Sequence, residues 1–138
     1  MLTDFNIISE ILQQPKNVSF VIQLHSPRSG SEHYDLRFGN SKNEKELYSF
    51  AAPKNLLQTI NTKTVLAKTR MHNMRWLDLP SYRLKIIDKG IVTVNISTSK
   101  YFELNFHGKI LNGSYKLFQM KNKRRDDYWL LTKVNIHE

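Results

Sequence analysis

Two histidines, an aspartate and an arginine lie close together in the chain, at His25, His33, Asp35 and Arg37. Two imidazoles and one carboxylate leave coordination positions open on a metal, and this ligand set suits Mn²⁺, Fe²⁺, Co²⁺ or Zn²⁺. A neighbouring guanidinium is a good phosphate ligand. These residue types therefore indicate a metal-assisted phosphate site. The alternative is that the histidines are ordinary strand-surface residues and that Asp35 and Arg37 form an ion pair.

The residues around this group predict two β-strands, 18–25 and 33–39, with a turn between them. Successive side chains of an extended chain point to opposite faces, so His33, Asp35 and Arg37 share one face. The other face carries Val18, Phe20, Ile22 and Leu24 of the first strand and Tyr34, Leu36 and Phe38 of the second. Pairing of the two strands as a hairpin would therefore bring the polar residues of both to one surface.

The rest of the chain predicts a mainly β protein. Apolar residues between Phe5 and Leu12 recur at helical spacing and predict a short N-terminal helix that Pro15 ends, and residues 56–60 predict one further helical turn. The other candidate strands, separated by clusters of turn-forming residues, are 46–52, 63–70, 82–87, 91–96, 101–107, 114–119 and 127–133. Many short strands with little helix favour an antiparallel closed β-barrel of about eight strands.

Composition narrows the class of protein further. The chain has 138 residues, which we interpret as a single domain, 1–138. It contains no cysteine, which excludes disulfides and thiolate metal sites. Lys and Arg number 21 against 12 Asp and Glu, a net charge of +9 that favours a polyanionic partner such as nucleic acid. A basic composition inherited from the genome is the alternative explanation of this charge.

The sequence also predicts the cellular location and the oligomeric state of the protein. Asp4 stands where a signal peptide would carry positive charge, and no apolar run approaches the roughly 20 residues of a membrane span. We therefore expect a cytoplasmic protein with no membrane partner. A closed barrel leaves no free strand edges, so we expect a monomer.

Six segments, spread along nearly the whole chain, resemble the sequence of a known protein family. The segments are Phe20–His25 (FVIQLH), His33–Arg37 (HYDLR), Ser49–Lys54 (SFAAPK), Met71–His72, Phe106–Leu117 and Trp129–Lys133. Together they resemble the 3′-phosphoesterase domain of bacterial DNA ligase D, which also occurs as a stand-alone protein. The resemblance implies an enzyme of DNA repair and end joining. Such enzymes remove a 3′-terminal ribonucleoside and then the remaining 3′-phosphate, which leaves a 3′-hydroxyl end.

The resemblance assigns roles to five residues. His25, His33 and Asp35 would be the metal ligands, normally for Mn²⁺, with Co²⁺ or Zn²⁺ as alternatives. Arg37 and His72 would hold the scissile phosphate. All five would be catalytic residues of the family's reaction.

Further residues match the family less fully. Gln23 and Lys54 fall on family active-site positions and would contact the substrate phosphate. Asp4 and Glu10 reproduce the spacing of two acidic residues in the family's N-terminal segment. The implied partners are DNA or DNA/RNA 3′ ends, together with a separate DNA ligase, polymerase or end-binding protein.

The chain departs from the family at several positions. Trp76 stands in place of a tyrosine, Thr64 in place of an arginine beside Lys63, and Thr3 in place of an arginine. An indole cannot replace a phenol as an acceptor or acid. The departures leave open a second interpretation, a catalytically degenerate module of the same fold that binds nucleic-acid ends or a repair protein. A small non-haem iron oxygenase is a third class, because two histidines and one carboxylate also form that ligand set.

Overall fold

The structure is a computed structural model that describes residues 14–28, 30–77, 83–121 and 127–135. The predicted N-terminal helix lies outside these residues, and so do Thr3, Asp4 and Glu10. The strands of the described part are β1 Lys16–His25, β2 His33–Asn40, β3 Asn43–Ala52, β4 Lys63–Lys68, β5 His72–Asn73, β6 Leu84–Ser97, β7 Tyr101–His107, β8 Asn112–Gln119 and β9 Tyr128–Lys133. Helix α1 spans Leu56–Thr59, as its apolar turn predicts, and a 3₁₀ helix spans Met74–Leu77.

Eight of these strands form a closed antiparallel barrel in the order β2-β1-β6-β7-β8-β9-β4-β3, which pairing of β2 with β3 closes. The predicted mainly β fold and closed barrel are therefore confirmed. The two-residue β5 pairs with the first half of β3, outside the barrel ring. Within the described residues, no helix is long and apolar enough to cross a membrane.

One strand assignment from the sequence is wrong. Residues 82–87 and 91–96 are predicted as two separate strands, whereas β6 runs without interruption from Leu84 to Ser97. A Cβ atom at position 90 would lie 2.6 Å from the carbonyl oxygen of His107 on β7. Glycine is required there because the two backbones approach closely, so Gly90 lies within a strand and ends none.

The main core fills the barrel with the inward-facing residues predicted from the strand alternation. Phe38 stacks on Phe50 with ring centroids 5.9 Å apart and meets the edge of Phe102 at 5.3 Å. All three rings are almost completely buried. Burying a phenylalanine contributes about 1.5–3 kcal/mol, so this aromatic group is a large part of the fold's stability.

A second apolar cluster lies on the outer face of β1 and β3. Val21 and Leu47 pack there against Leu77 of the 3₁₀ helix, with half-buried Trp76 beside them. We call residues 69–77 the strap, because this segment crosses the outer face. It is hydrogen-bonded to β3 and packs against it. A cleft lies between the strap and the β1–β2 hairpin.

Candidate functional site

The three predicted metal ligands come together on the β1–β2 hairpin. The register pairs His25 with His33, and Asp35 lies on the same face two residues further along β2. Nδ1 of His25 is 3.3 Å from Nε2 of His33, and that Nε2 is 3.5 Å from Oδ2 of Asp35. The His25 Nδ1 to Asp35 Oδ2 distance is 4.0 Å. The hairpin predicted from the alternation therefore places one nitrogen from each ring next to a carboxylate oxygen.

The spacing of these atoms fits a single metal ion. Donors that each lie about 2.0–2.2 Å from a common ion are about 3.0–3.6 Å from one another. Two of the three distances fall in this range and the third is slightly longer. Both imidazoles are about one-third exposed, whereas Asp35 is 6% exposed. The set therefore offers two nitrogens and one oxygen, with its open side toward solvent.

Arg37 lies beneath this cluster and is held from several sides. It is 4% exposed and donates to Oε1 of Gln23 (2.9 Å), to Oγ of Ser49 (3.1 Å) and to Oδ2 of Asp35 (3.4 Å). The Asp35 contact is the ion pair that the sequence offered as an alternative, and it coexists with the ligand cluster. Burial lowers the pKa of Arg37 and the Asp35 carboxylate raises it, but a guanidinium stays charged at any ordinary pH.

Gln23 connects the strap to this arginine. Its side chain is fully buried, and its Nε2 donates to the backbone oxygen of Trp76 at 2.6 Å. Its Oε1 accepts from Nε of Arg37, so both ends of the amide are occupied by protein groups. In the structure Gln23 positions Arg37, and its direct contact with phosphate stays a prediction.

The strap contributes His72 and Trp76 to the opposite wall. The two rings meet edge to face at 4.9 Å, and the Trp76 ring centroid is 4.7 Å from the Arg37 guanidinium carbon. Nδ1 of His72 is buried and has no hydrogen-bond partner within the described chain. Burial lowers the pKa of His72 below its usual value, and the positive charges of Arg37 and Arg70 lower it further. The neutral imidazole is therefore favoured until an anion enters.

One open cleft of about 280 Å³ collects these groups. Its lining residues are His25, His33, Asp35, Arg37, Thr69, Arg70, His72 and Trp76. All five residues that the resemblance makes catalytic therefore border the same space. A divalent cation and a phosphate group are the ligands that such a combination of imidazole, carboxylate and guanidinium suits.

Two other residues singled out in the sequence do not line this cleft. Lys54 is exposed just beyond the end of β3. Thr64 is buried, and its Oγ1 is 2.6 Å from Oγ1 of Thr59 in α1. The position where the family carries an arginine is thus part of the packing between α1 and β4.

The sequence analysis did not identify three residues of the site. Ser49 accepts a hydrogen bond from Arg37 through Oγ, and its backbone oxygen accepts one from the Thr69 N–H at 2.9 Å. Thr69 and Arg70 line the cleft. The signal for Ser49 was its register opposite Arg37 in a β2–β3 hairpin. The local sequence carried no comparable signal for Thr69 or Arg70, because the fold brings the strap to the hairpin.

No protein-family model matches the chain, and no curated protein matches it at a significant level.

Proposed function

We propose that this protein is a Mn²⁺-dependent 3′-end-processing phosphoesterase of DNA repair. It would remove a 3′-phosphate or a 3′-terminal ribonucleotide and leave a 3′-hydroxyl end. The observation that supports this most is the convergence of His25, His33 and Asp35 within 4.8 Å, in a cleft that Arg37 and His72 also line. The same convergence would accept Co²⁺ or Zn²⁺ in place of Mn²⁺.

The reaction replaces one P–O bond with another, because water attacks phosphorus and the ester oxygen leaves with a proton. A divalent cation at the triad would polarise the phosphate and lower the pKa of water. Arg37 contributes a fixed positive charge next to the charge that develops on the phosphate oxygens, and its three partners reduce the reorganisation this requires. His72 faces the same space, and an entering anion raises its pKa, so it is placed to protonate the leaving oxygen.

The net charge of +9 supports a nucleic-acid substrate, because basic proteins attract polyanions over distances longer than a contact. A 3′-hydroxyl end is the form that polymerases and ligases use. We therefore propose DNA or DNA/RNA 3′ ends as the substrate and a separate ligase, polymerase or end-binding protein as the functional partner.

The test is hydrolysis of a labelled primer-template that ends in a 3′-phosphate or in one 3′-ribonucleotide, with Mn²⁺ and with chelator. We expect metal-dependent conversion by the wild type and a loss of at least about 100-fold in His33→Ala, since a metal ligand costs more than the 10–100-fold typical of groups that only orient one. His107→Ala is the matched control, because His107 is exposed on β7 and contacts Thr93. Equal turnover by wild type and His33→Ala, with both folded, would sink the proposal.

A second candidate is a binding module of the same fold without hydrolysis. The observation that favours it is Trp76, whose ring covers the Arg37 guanidinium and touches His72, where the family has a tyrosine. This candidate predicts Mn²⁺ binding and salt-dependent binding of recessed 3′ ends with no turnover. Recovery of turnover in Trp76→Tyr would identify the indole as the cause. Fe²⁺-dependent oxygen uptake by the same preparation would instead support the oxygenase class.

A further inference from the structure

The cleft contains two arginines with opposite surroundings. Arg37 is buried and bonded to three protein side chains. Arg70 is exposed at the cleft wall, and its side chain forms no hydrogen bond or ion pair within the described ranges of the chain. Its donors are therefore available to a ligand, whereas most of the donors of Arg37 already serve the fold.

The backbone at Arg70 is fixed although its side chain is exposed. The preceding residue, Thr69, donates to the backbone oxygen of Ser49 through its N–H at 2.9 Å and through Oγ1 at 3.2 Å. Two residues further on, His72 pairs with Leu47 on β3. These anchors leave a span of two residues between them. The backbone of Arg70 is therefore held in place, and its side chain borders the cleft that His25, His33 and Asp35 also line.

Ser49 relates the two arginines directly. Its Oγ accepts from Arg37 on the hairpin side, and its backbone oxygen holds the start of the strap that carries Arg70. Ser49 itself is fully buried. Arg37 and the residue before Arg70 therefore bond to the same buried residue, and both arginines border the same cleft.

The charges of the cleft are not balanced. The described lining carries one carboxylate, Asp35, against two guanidiniums, and Asp35 pairs with Arg37, so no carboxylate of that lining is left for Arg70. Both arginines line the same cleft. A divalent cation would add two more positive charges. Such a site favours an anion that carries more than one negative charge.

We propose that Arg70 is a second phosphate-binding guanidinium and that it makes the cleft select a terminal phosphate monoester over a phosphodiester. This inference rests on the proposed function and names its preferred substrate. A monoester carries about 1.5–2 negative charges at pH 7, which can engage a cation and two guanidiniums. A diester carries one negative charge, and a second nucleoside occupies one of its oxygens. Arg70 therefore contributes more to binding and turnover of a 3′-phosphate end than of a 3′-ribonucleotide end.

The variant Arg70→Gln tests this selectivity, with Arg75→Gln as the matched control. Arg75 is exposed on the 3₁₀ helix and does not line the cleft. We expect kcat/KM for 3′-phosphate release to fall about tenfold or more, as for loss of a charge-assisted hydrogen bond, with a smaller fall for 3′-ribonucleotide removal. Arg70→Lys should recover part of the loss. Equal falls on both substrates, or no fall on either, would overturn the inference.

A binding measurement separates failure of this inference from failure of the proposed function. The Mn²⁺-loaded protein is titrated with oligonucleotides that differ only in a 3′-phosphate or a 3′-hydroxyl end. Arg70→Gln should weaken binding of the 3′-phosphate oligonucleotide about tenfold and leave that of the 3′-hydroxyl oligonucleotide unchanged. A wild type that shows this preference without turnover refutes the phosphoesterase and keeps the role of Arg70. Turnover and binding that Arg70→Gln does not affect refute the role of Arg70 alone.

Discussion

Near their middle, the two faces of strands β1 to β3 are almost equally inaccessible to water, but they are held by different forces. On the inner face, Phe38 and Phe50 are 0% exposed and contact other apolar rings. On the outer face, Gln23 is 0% and Arg37 is 4% exposed, and their contacts are hydrogen bonds and an ion pair. Apolar packing adds stability roughly in proportion to buried area, whereas a buried polar network stabilises only if every member is paired.

The inner face therefore supplies most of the stability, whereas the outer face sets the geometry of the proposed site. The barrel interior can lose part of its packing while the hairpin keeps its register. The outer network has little tolerance, because each of its members holds the next one in place. Variants of the two faces should therefore affect unfolding and metal binding in different proportions.

The largest effect is expected inside the barrel. Phe38→Ala removes a ring that contacts Phe50, Phe102 and Tyr48, and it should lower the free energy of unfolding by about 3–5 kcal/mol. Urea denaturation measures this loss. Mn²⁺ affinity of the folded protein, measured by calorimetry at low temperature, should stay close to that of the wild type. A large loss of metal affinity without unfolding would show that the two faces are not independent.

A smaller effect on stability, with a larger effect on the site, is expected on the outer face. Gln23→Leu leaves Nε of Arg37 and the backbone oxygen of Trp76 without their partner, which should cost about 1–3 kcal/mol. The freed guanidinium also leaves Asp35 less well oriented. The proposed activity on 3′ ends should therefore fall by more than the stability loss explains. Full activity and stability in Gln23→Leu would contradict the positioning role.

The control for that variant is Gln58→Leu. Gln58 is exposed on α1, so its replacement should change the free energy of unfolding by no more than about 0.5 kcal/mol. Both variants replace a glutamine with a leucine. The difference between them therefore reports the buried network.

The smallest effect concerns a polar group that belongs to the inner face. The hydroxyl of Tyr115, which is 1% exposed, donates to the backbone oxygen of Ile60 at 2.8 Å, and burial raises its pKa to about 12. Tyr115→Phe should cost about 1 kcal/mol at neutral pH. In the unfolded chain the phenol ionises near pH 10, so the folded protein binds more protons between pH 10 and about 12. Stability of the wild type should therefore fall in that window as pH rises.

The pH dependence of Tyr115→Phe isolates this group. Tyr48 and Tyr101 also have raised pKa values and are present in both proteins, so their contributions cancel in the difference. The stability advantage of the wild type should shrink and then reverse above pH 10, as measured by urea denaturation at each pH. A difference that stays constant from neutral pH to pH 12 would show that the hydroxyl is not held neutral by the fold.

The sequence predicts local features of this molecule well because strand alternation is a local property. The period of two assigns Phe38 to the interior and Arg37 to the outer face, and the turn between the first two strands brings His25 next to His33. The barrel class follows from the number and spacing of the strands. These inferences need only neighbouring residues.

The sequence does not predict burial and hydrogen bonds that arise from contacts between segments far apart in the chain. Arg37 is buried on an outer face beneath Trp76 of the strap, and the strap is held by the contact of Leu77 with Val21 and Leu47. The continuity of β6 through Gly90 was missed for the same reason, since the requirement for glycine comes from the carbonyl group of His107 on another strand. The availability of Arg70 and the hydrogen bonds of Ser49 likewise depend on pairings that the local pattern does not contain.

The attachment of the strap has a consequence for amide hydrogen exchange and local unfolding. Strands of the closed barrel are hydrogen-bonded on both sides, whereas β5 contributes a ladder of two residues to β3 and the apolar cluster beneath the strap is small. Subglobal opening should therefore begin at the strap, at a fraction of the free energy needed to open the barrel. The proposed metal ligands stay on the protected hairpin, while His72 and Trp76 belong to the segment that should exchange first. The two halves of the proposed site thus differ in local stability, so opening of the strap to admit a nucleic-acid 3′ end would not disturb the proposed metal ligands.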